Sequence, residues 1–342
     1  MKIDTAGNYT LRYTAEDECG NETVIDRSLI VAAPRTVLYT DGTFIINEMP
    51  ADKETNERLH GVATNVYAPF DPNGLTAGEK YIFENGAAAP WWDQRQRVLK
   101  TEIGSLVTPT STAHWFDGFA NMTSCDVSNI DTSNVTNMRY MFTSCRRLGT
   151  LDVSHFDTSN VTNMEGMFNE MRRLSDLRLF HSDTSNVTTM KRMFYSCEYL
   201  TSIDLSAFDT TSVDDFTSMF DSCERLTNIS VSGFNVSGAT KLSEMFSGCK
   251  ALTSVDISSF ELGNSAEISF MFSYCTNLQT IYASSMFNAV SASSSNDMFK
   301  NTYSLKGGAG TTWASTNPTD KTYAHIDGGT SNPGYFTLKP TT

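Results

Sequence analysis

Five cysteines fall on one beat of the sequence. Cys145, Cys197, Cys223, Cys249 and Cys275 are separated by 26 residues or twice that. Sulfur ligands at such intervals could hold a soft metal or close disulfides between layers. A tetrahedral metal needs converging ligands, however, and cysteines strung along a stack point the same way at successive heights. Met171 fills the missing place in the series, and a position that accepts Met is one of packing. The column therefore reads as buried free thiols. Bridging between adjacent layers and metal binding are the alternatives, and parallel Cβ vectors suit a disulfide poorly.

A second column consists of carboxylates: Asp131, Asp157, Asp183 and Asp209, continued by Asn235 and Glu261. Stacked about 5 Å apart, they repel one another unless backbone amides or a hard cation neutralise them. Their Ser/Thr/Asn surroundings, with Asn134, Asn160 and Asn186, point to turn capping. Calcium is the alternative, although the crowded D-x-D-x-D-G loop is missing. The N-V-T sequons at those asparagines read as a by-product of capping, because a glycan on every layer would not fit. His60, His114, His155, His181 and His325 share no spacing with a nucleophile, and no H-E-x-x-H, G-x-S-x-G, P-loop or dinucleotide motif occurs. Neither an enzyme nor a cofactor is expected.

What sets these columns is a repeat. Met-Phe occurs at Met141-Phe142, Met167-Phe168, Met193-Phe194, Met219-Phe220, Met245-Phe246 and Met271-Phe272, always 26 residues apart, then at Met298-Phe299 after 27; Trp115-Phe116 is a degenerate first copy. Within one unit Val161, Met164, Met167, Phe168, Met171 and Leu174 keep a 3-4 spacing, which predicts one face of a short helix. Leu174, Leu177 and Leu179 then switch to alternation, which predicts a short strand. A single unit buries too few apolar side chains to offset the entropy of fixing its backbone, so neighbours must share a core. About eight stacked strands, from near Leu99 to Ile281, predict a sheet about 34 Å tall.

Function in such a stack lies in the strand residues that alternate outward. Those slots hold Asp152, Arg178, Asp204, Ser230, Asp256 and Tyr282, preceded by Thr150, Asp176, Ser202, Asn228, Ser254 and Thr280. One rung, "RLSDLRLFHSDTSN", departs from its neighbours. Arg178 replaces an acid, Phe180 stands where Ser154 and Ser206 do, and Ser182 takes the slot of Phe156 and Phe208. Either Phe180 exchanges places with Ser182 and enters the core while Arg178 neutralises Asp152 and Asp204, or Phe180, His181 and Arg178 protrude as a binding anchor. The candidate ligand-binding residues are thus Asp152, Arg178, Phe180, His181, Asp204 and Tyr282. A second cluster, Arg146-Arg147 above Arg172-Arg173, is either a solvated edge or a contact for a glycan or acidic protein.

The unit "CRRLGTLDVSHFDTSNVTNMEGMF", with near-copies at Cys197, Cys223 and Cys249, resembles the BspA-type leucine-rich repeat of surface proteins from host-associated bacteria and their phages. The match runs over roughly residues 91 to 336 and includes the tail "TYAHIDGGTSNPGYFT". The resemblance implies an α/β solenoid, a leucine-rich-repeat stack of short parallel strands and short helices, with an adhesive or recognition role. Ahead of it, "GNYTLRYTAEDECGNETVIDRSLIV" resembles the last two strands of a bacterial Ig-like domain, and its Cys19 has no evident mate. The organisation expected is 1–31 partial Ig-like segment, 32–96 β-rich cap, 97–305 solenoid of about eight units, and 306–342 C-terminal cap and tail. Asp41-Gly42 between apolar strands predicts a hairpin in the first cap, to which "KYIFENG" and Trp91-Trp92 also contribute.

With 39 acidic and 25 basic side chains, a net charge of -14, the chain is a poor match for nucleic acid or an anionic membrane. It shows no signal peptide, lipidation motif or run of eighteen apolar residues, so no membrane insertion is expected. The reading is a recognition or adhesion module of an extracellular cell surface, partnered by a host or bacterial surface protein or glycan. The alternative is a phage virion fibre or tail-associated protein serving attachment or structure.

Overall fold

The computed structural model describes residues 7–16, 22–31, 35–41, 43–48, 63–67, 92–104, 106–180, 183–263 and 265–340. Near the N-terminus β1 (Gly7–Glu16) and β2 (Glu22–Val31) form an antiparallel ladder in which Gly7 faces Val31 and Glu16 faces Glu22. Cys19, "KYIFENG" and Trp91 lie outside the described residues.

A five-stranded sheet comes next, in the order β5-β3-β4-β6-β7. It contains β3 (Arg35–Tyr39), β4 (Thr43–Glu48), β5 (Ala63–Tyr67), β6 (Lys100–Ile103) and β7 (Ser124–Cys125). The hairpin between β3 and β4 is present. Asp41 secures it by accepting from the Thr43 amide at 2.8 Å and from its hydroxyl at 3.0 Å. β4 pairs in parallel with β6, and β6 with β7. The hairpin therefore continues the parallel strands of the repeats and covers their first layer, placing Leu38 and Phe44 in the shared core, with Phe44 edge-on to Phe119 at 5.7 Å.

Each following repeat contributes one short strand: β8 (Thr150–Asp152), β9 (Asp176–Arg178), β10 (Ser202–Asp204), β11 (Asn228–Ser230), β12 (Ser254–Asp256) and β13 (Thr280–Ala283). The apolar middle residue of each points inward. Leu151, Ile203, Ile229, Val255 and Ile281 are buried, and Leu177 is half-buried. At the far end β14 (Phe336–Leu338) pairs in parallel with β13.

The helices expected from the 3-4 spacing do not form. Where they were predicted, the chain runs as successive turns, because two residues per repeat are left-handed. One column comprises His114, Tyr140, Gly166, Arg192, Ser218, Glu244, Phe270 and Asp297. The other comprises Gly118, Ser144, Glu170, Ser196, Ser222, Gly248, Tyr274 and Asn301. All have φ between 52° and 75°. An α-helix cannot pass through such residues. Hydrogen bonding alternates instead. The amides of Met138, Tyr140, Phe142 and Ser144 donate to Asn163, Glu165, Met167 and Asn169 of the next rung at 2.8–2.9 Å, and those of Met141, Thr143 and Cys145 donate back to Met138, Tyr140 and Phe142. Each turn places residues i, i+3, i+4 and i+7 inside, which a helix would also do, and this is why the spacing misleads.

The inward residues make the core. Phe116, Phe142, Phe168, Phe194, Phe220, Phe246, Phe272 and Phe299 are fully buried and stack in sequence with ring centroids 5.2–6.1 Å apart. Trp115 and Phe116 thus act as a true first copy. Tyr335 and Phe336 close the other end edge-on to Phe299 at 5.1 and 6.0 Å. There Asp327 accepts from the amides of Ala309, Thr311 and Gly329 at 2.9 Å and from the Thr311 hydroxyl at 2.7 Å. Burial opposes ionisation of Asp327, but these donors outweigh it and lower its carboxyl to about 2.

Candidate functional site

The thiol column is packed inside. Cys145, Cys197, Cys223, Cys249 and Cys275 are free and buried, and each Sγ lies 2.9–3.3 Å from a Phe carbonyl of the preceding rung. Thr302 makes the corresponding bond to Phe272 at 2.8 Å. Burial pushes the Cys197 and Cys275 thiols up to about 12, so they stay protonated. Among the described residues no group of three or more His, Cys, Asp or Glu could hold a metal ion.

The aspartate column caps turns. Asp131, Asp157, Asp183 and Asp209 each accept the amide two residues on, at 2.8–3.0 Å. That bond lowers the Asp131 carboxyl below its usual range. Beneath it Thr132, Thr158, Thr184 and Thr210 are buried and donate to the next rung's carbonyl at 2.8–2.9 Å. Asn160 and Asn186 bond back to Ser133 and Ser159. The sequons therefore sit in a bonded seam between rungs.

The outward strand residues form the exposed face. Thr150, Asp152, Asp176, Arg178, Ser202, Asp204, Asn228 and Ser254 are exposed, while Ser230, Asp256, Thr280 and Tyr282 are half-buried. Pairing along this face is interrupted. β8 pairs with β9, β10 with β11 and β12 with β13, but no ladder joins β7 to β8, β9 to β10 or β11 to β12. A depression of about 570 Å³ lies across the break after β9, lined by Leu177, Arg178, Leu179, Ser202, Ile203 and Asp204. Another, of about 320 Å³, lies across the break before β8 and is lined by Cys125, Thr150, Asp152, Asp176 and Arg178. Arg178 borders both.

Of the predicted site residues, Asp152, Arg178 and Asp204 fall on consecutive rungs of one column. Arg178 Nη1 lies 3.5 Å from Asp152 Oδ2, with side chains 71% and 51% exposed, a weak pair in water. Asp152 and Asp204 also accept the amides of Ser154 and Ser206 at 3.0 Å, which turns the chain after each strand. Phe180 is a correction. It is fully buried and stacks on Phe208 at 5.5 Å, so it cannot touch a ligand. Burial of its ring outweighs the regular position, and the chain dips inward three residues after Leu177 rather than five. His181 and Ser182 lie outside the described residues. Tyr282 is four rungs from Arg178 and flanked by β14; Lys339 sits 5.1 Å from its ring centroid and bonds Asp256 at 2.8 Å.

Sequence reasoning missed the breaks in strand pairing and the apolar floor that Leu177, Leu179 and Ile203 give the larger depression. In the sequence this rung is marked by the shortened spacing from Leu177 to Phe180 and by Arg178 in place of an acid, neither of which reports strand pairing.

Two bonded columns joined by a shared core, with one exposed strand face, define a stacked-repeat protein. The chain belongs to the family described as "Mycoplasma protein of unknown function, DUF285", whose model matches residues 110–228 and 199–313, together more than half of the sequence. No curated protein matches it. Among solved structures, a leucine-rich repeat protein from Eubacterium ventriosum ATCC 27560 is similar at a TM-score of 0.30 and 15% identity, over 81% of this chain and 76% of that one. No helix among the described residues is long and apolar enough to cross a membrane.

Proposed function

We propose that this protein is a non-enzymatic recognition module that applies its exposed strand face to a protein or glycan at a cell surface. The observation that carries the reading is the face around Arg178. There two depressions adjoin one exposed guanidinium, and the larger has an apolar floor and a polar, acidic rim. Such a surface offers broad contact and one charged anchor. The stack behaves as a solenoid of the leucine-rich type, which holds its face rigid, and the antiparallel pair β1-β2 is Ig-like in character.

The test is a binding screen of the full chain against arrayed glycans and host matrix proteins, followed by Arg178→Ala and Asp204→Ala. A saturable ligand whose affinity falls roughly tenfold in Arg178→Ala, with the melting temperature unchanged, supports the reading. A verified ligand bound equally well by both variants removes this face from the function. A screen without any saturable hit leaves the chain a spacer.

A further inference from the structure

A different surface carries a separate charge pattern. Immediately before the buried Leu148, Leu174, Leu200 and Leu226, the chain crosses an exposed edge at the start of each strand rung. Its two columns read Arg146, Arg172, Glu198, Glu224 and Arg147, Arg173, Tyr199, Arg225. The first column is largely neutralised: Arg146 bonds Glu170, Arg172 Nη1 lies 3.4 Å from Glu198, and Lys250 bonds Glu224 at 2.7 Å. The second is not. Arg147 and Arg173 are exposed and form no ion pair among the described residues. Tyr199 is 37% exposed, and the Arg225 guanidinium lies 3.8 Å from its ring centroid. In a chain of net charge -14, two neighbouring arginines without carboxylates need an explanation.

We propose that this edge binds the sulfate groups of a sulfated oligosaccharide. Arg147, Arg173, Tyr199 and Arg225 occupy the same place on successive rungs, so the column climbs about 14 Å in steps of about 4.8 Å. Guanidinium forks receive tetrahedral oxyanions through paired N–H donors, and a row of them fits an anion repeated along a short chain. Two of the crossings are tied to a neighbour: the Tyr199 amide donates to the Arg172 carbonyl at 3.1 Å, and the Ala251 amide to the Glu224 carbonyl at 3.1 Å. Stacking on Tyr199 stiffens the Arg225 guanidinium. Overall negative charge does not forbid this ligand. At physiological ionic strength a bound sulfate senses charges within about 8 Å, so the edge rather than the whole molecule decides. A long polyanion such as nucleic acid would meet the acidic strand face as well. An acidic peptide would gain the same ion pairs but would also have to order a flexible backbone on binding.

The test measures affinity of the full-length chain for a heparin-derived octasaccharide, its desulfated counterpart and a glutamate octapeptide across a salt series. The octasaccharide is expected to bind, and the desulfated form not. Arg147→Ala/Arg173→Ala is expected to weaken binding roughly tenfold or more and to reduce the salt slope by about 1 to 2. Lys241→Ala, whose lysine lies 3.5 Å from Asp215 on the turn side, leaves affinity unchanged. Because Arg147 and Arg173 are exposed, the double variant keeps the wild-type melting curve. Absence of octasaccharide binding, full affinity in the double variant, or tighter binding of the peptide than the octasaccharide would each overturn the proposal. None of these results bears on the strand face, which is tested with its own variants.

Discussion

The turn side and the strand side of each rung are built from the same repeat but held differently. On the turn side every rung bonds to the next, from Ser111 through Asn137, Asn163, Thr189, Asp215, Lys241 and Glu267 to Ser294. The Phe stack, the thiols and the buried threonines all follow that continuous seam. On the strand side pairing skips every second interval, and the outward residues change from rung to rung. The stack therefore draws its continuity from turns, and its strands are left free to vary. A face relieved of holding the fold together can diverge in sequence without unfolding the array.

The Phe stack carries the largest share of this continuity. Phe194→Ala removes a ring between Phe168 and Phe220, at 5.4 and 5.6 Å, and is expected to cost about 3–5 kcal/mol. Arg178→Ala, on the exposed face, is expected to change stability by less than about 0.5 kcal/mol. Urea denaturation of both variants checks the contrast, and similar losses in the two would dissolve it.

Where the two sides end together, Asp327 ties the closing segment. Replacing it with Asn forfeits charge-assisted bonds from four backbone amides and one hydroxyl, for an expected loss of about 2–3 kcal/mol. The pH dependence has a definite sign. The folded carboxyl, at about 2, lies below an unfolded aspartate near 3.9, so its contribution is complete above about pH 4 and disappears as pH falls towards 2. Wild type should therefore lose more stability than Asp327→Asn between pH 5 and about 2, measured by denaturant titration at each pH.

Much of this was legible because side-chain periodicity reports what is buried. The Met-Phe beat located the layers, the Met at position 171 identified the thiol column as core, and the Asp-x-Ser/Thr context identified capping. Periodicity does not report backbone conformation, so turns and a helix gave the same 3-4 pattern. A sharper signal was available: neither left-handed column contains a β-branched residue, and Gly118, Gly166 and Gly248 appear in them. Phe180 stayed open between two readings for a related reason, since its position in the strand indicated outward and its hydrophobicity inward, and the structure takes the second. The breaks in strand pairing had no sequence marker, because they depend on distances between rungs rather than on residue types.

Gly166 and Ser144 occupy left-handed turns with opposite demands on the side chain. A Cβ on Gly166 would lie 2.1 Å from the ring of Tyr140, whose hydroxyl is held by Glu165 at 3.0 Å. Gly166→Ala is expected to cost about 1–3 kcal/mol, seen as a lower denaturation midpoint.

Ser144 presents the opposite case and the smallest effect. Its φ is 57°, and Gly248, with φ 67°, occupies the same place four rungs on. A left-handed serine costs about 1–2 kcal/mol relative to glycine, whereas glycine adds about 0.5–1 kcal/mol of unfolded-state entropy. The backbone bond at stake, from the Ser144 amide to the Asn169 carbonyl at 2.8 Å, needs no side chain and survives the change. Ser144→Gly is accordingly expected to stabilise the protein by about 0.5–1 kcal/mol, read as a raised urea midpoint at an unchanged slope. A lowered midpoint would mean that the rungs gain more from the side chains on these turns than they lose to strain, and that the seam is held by more than its backbone.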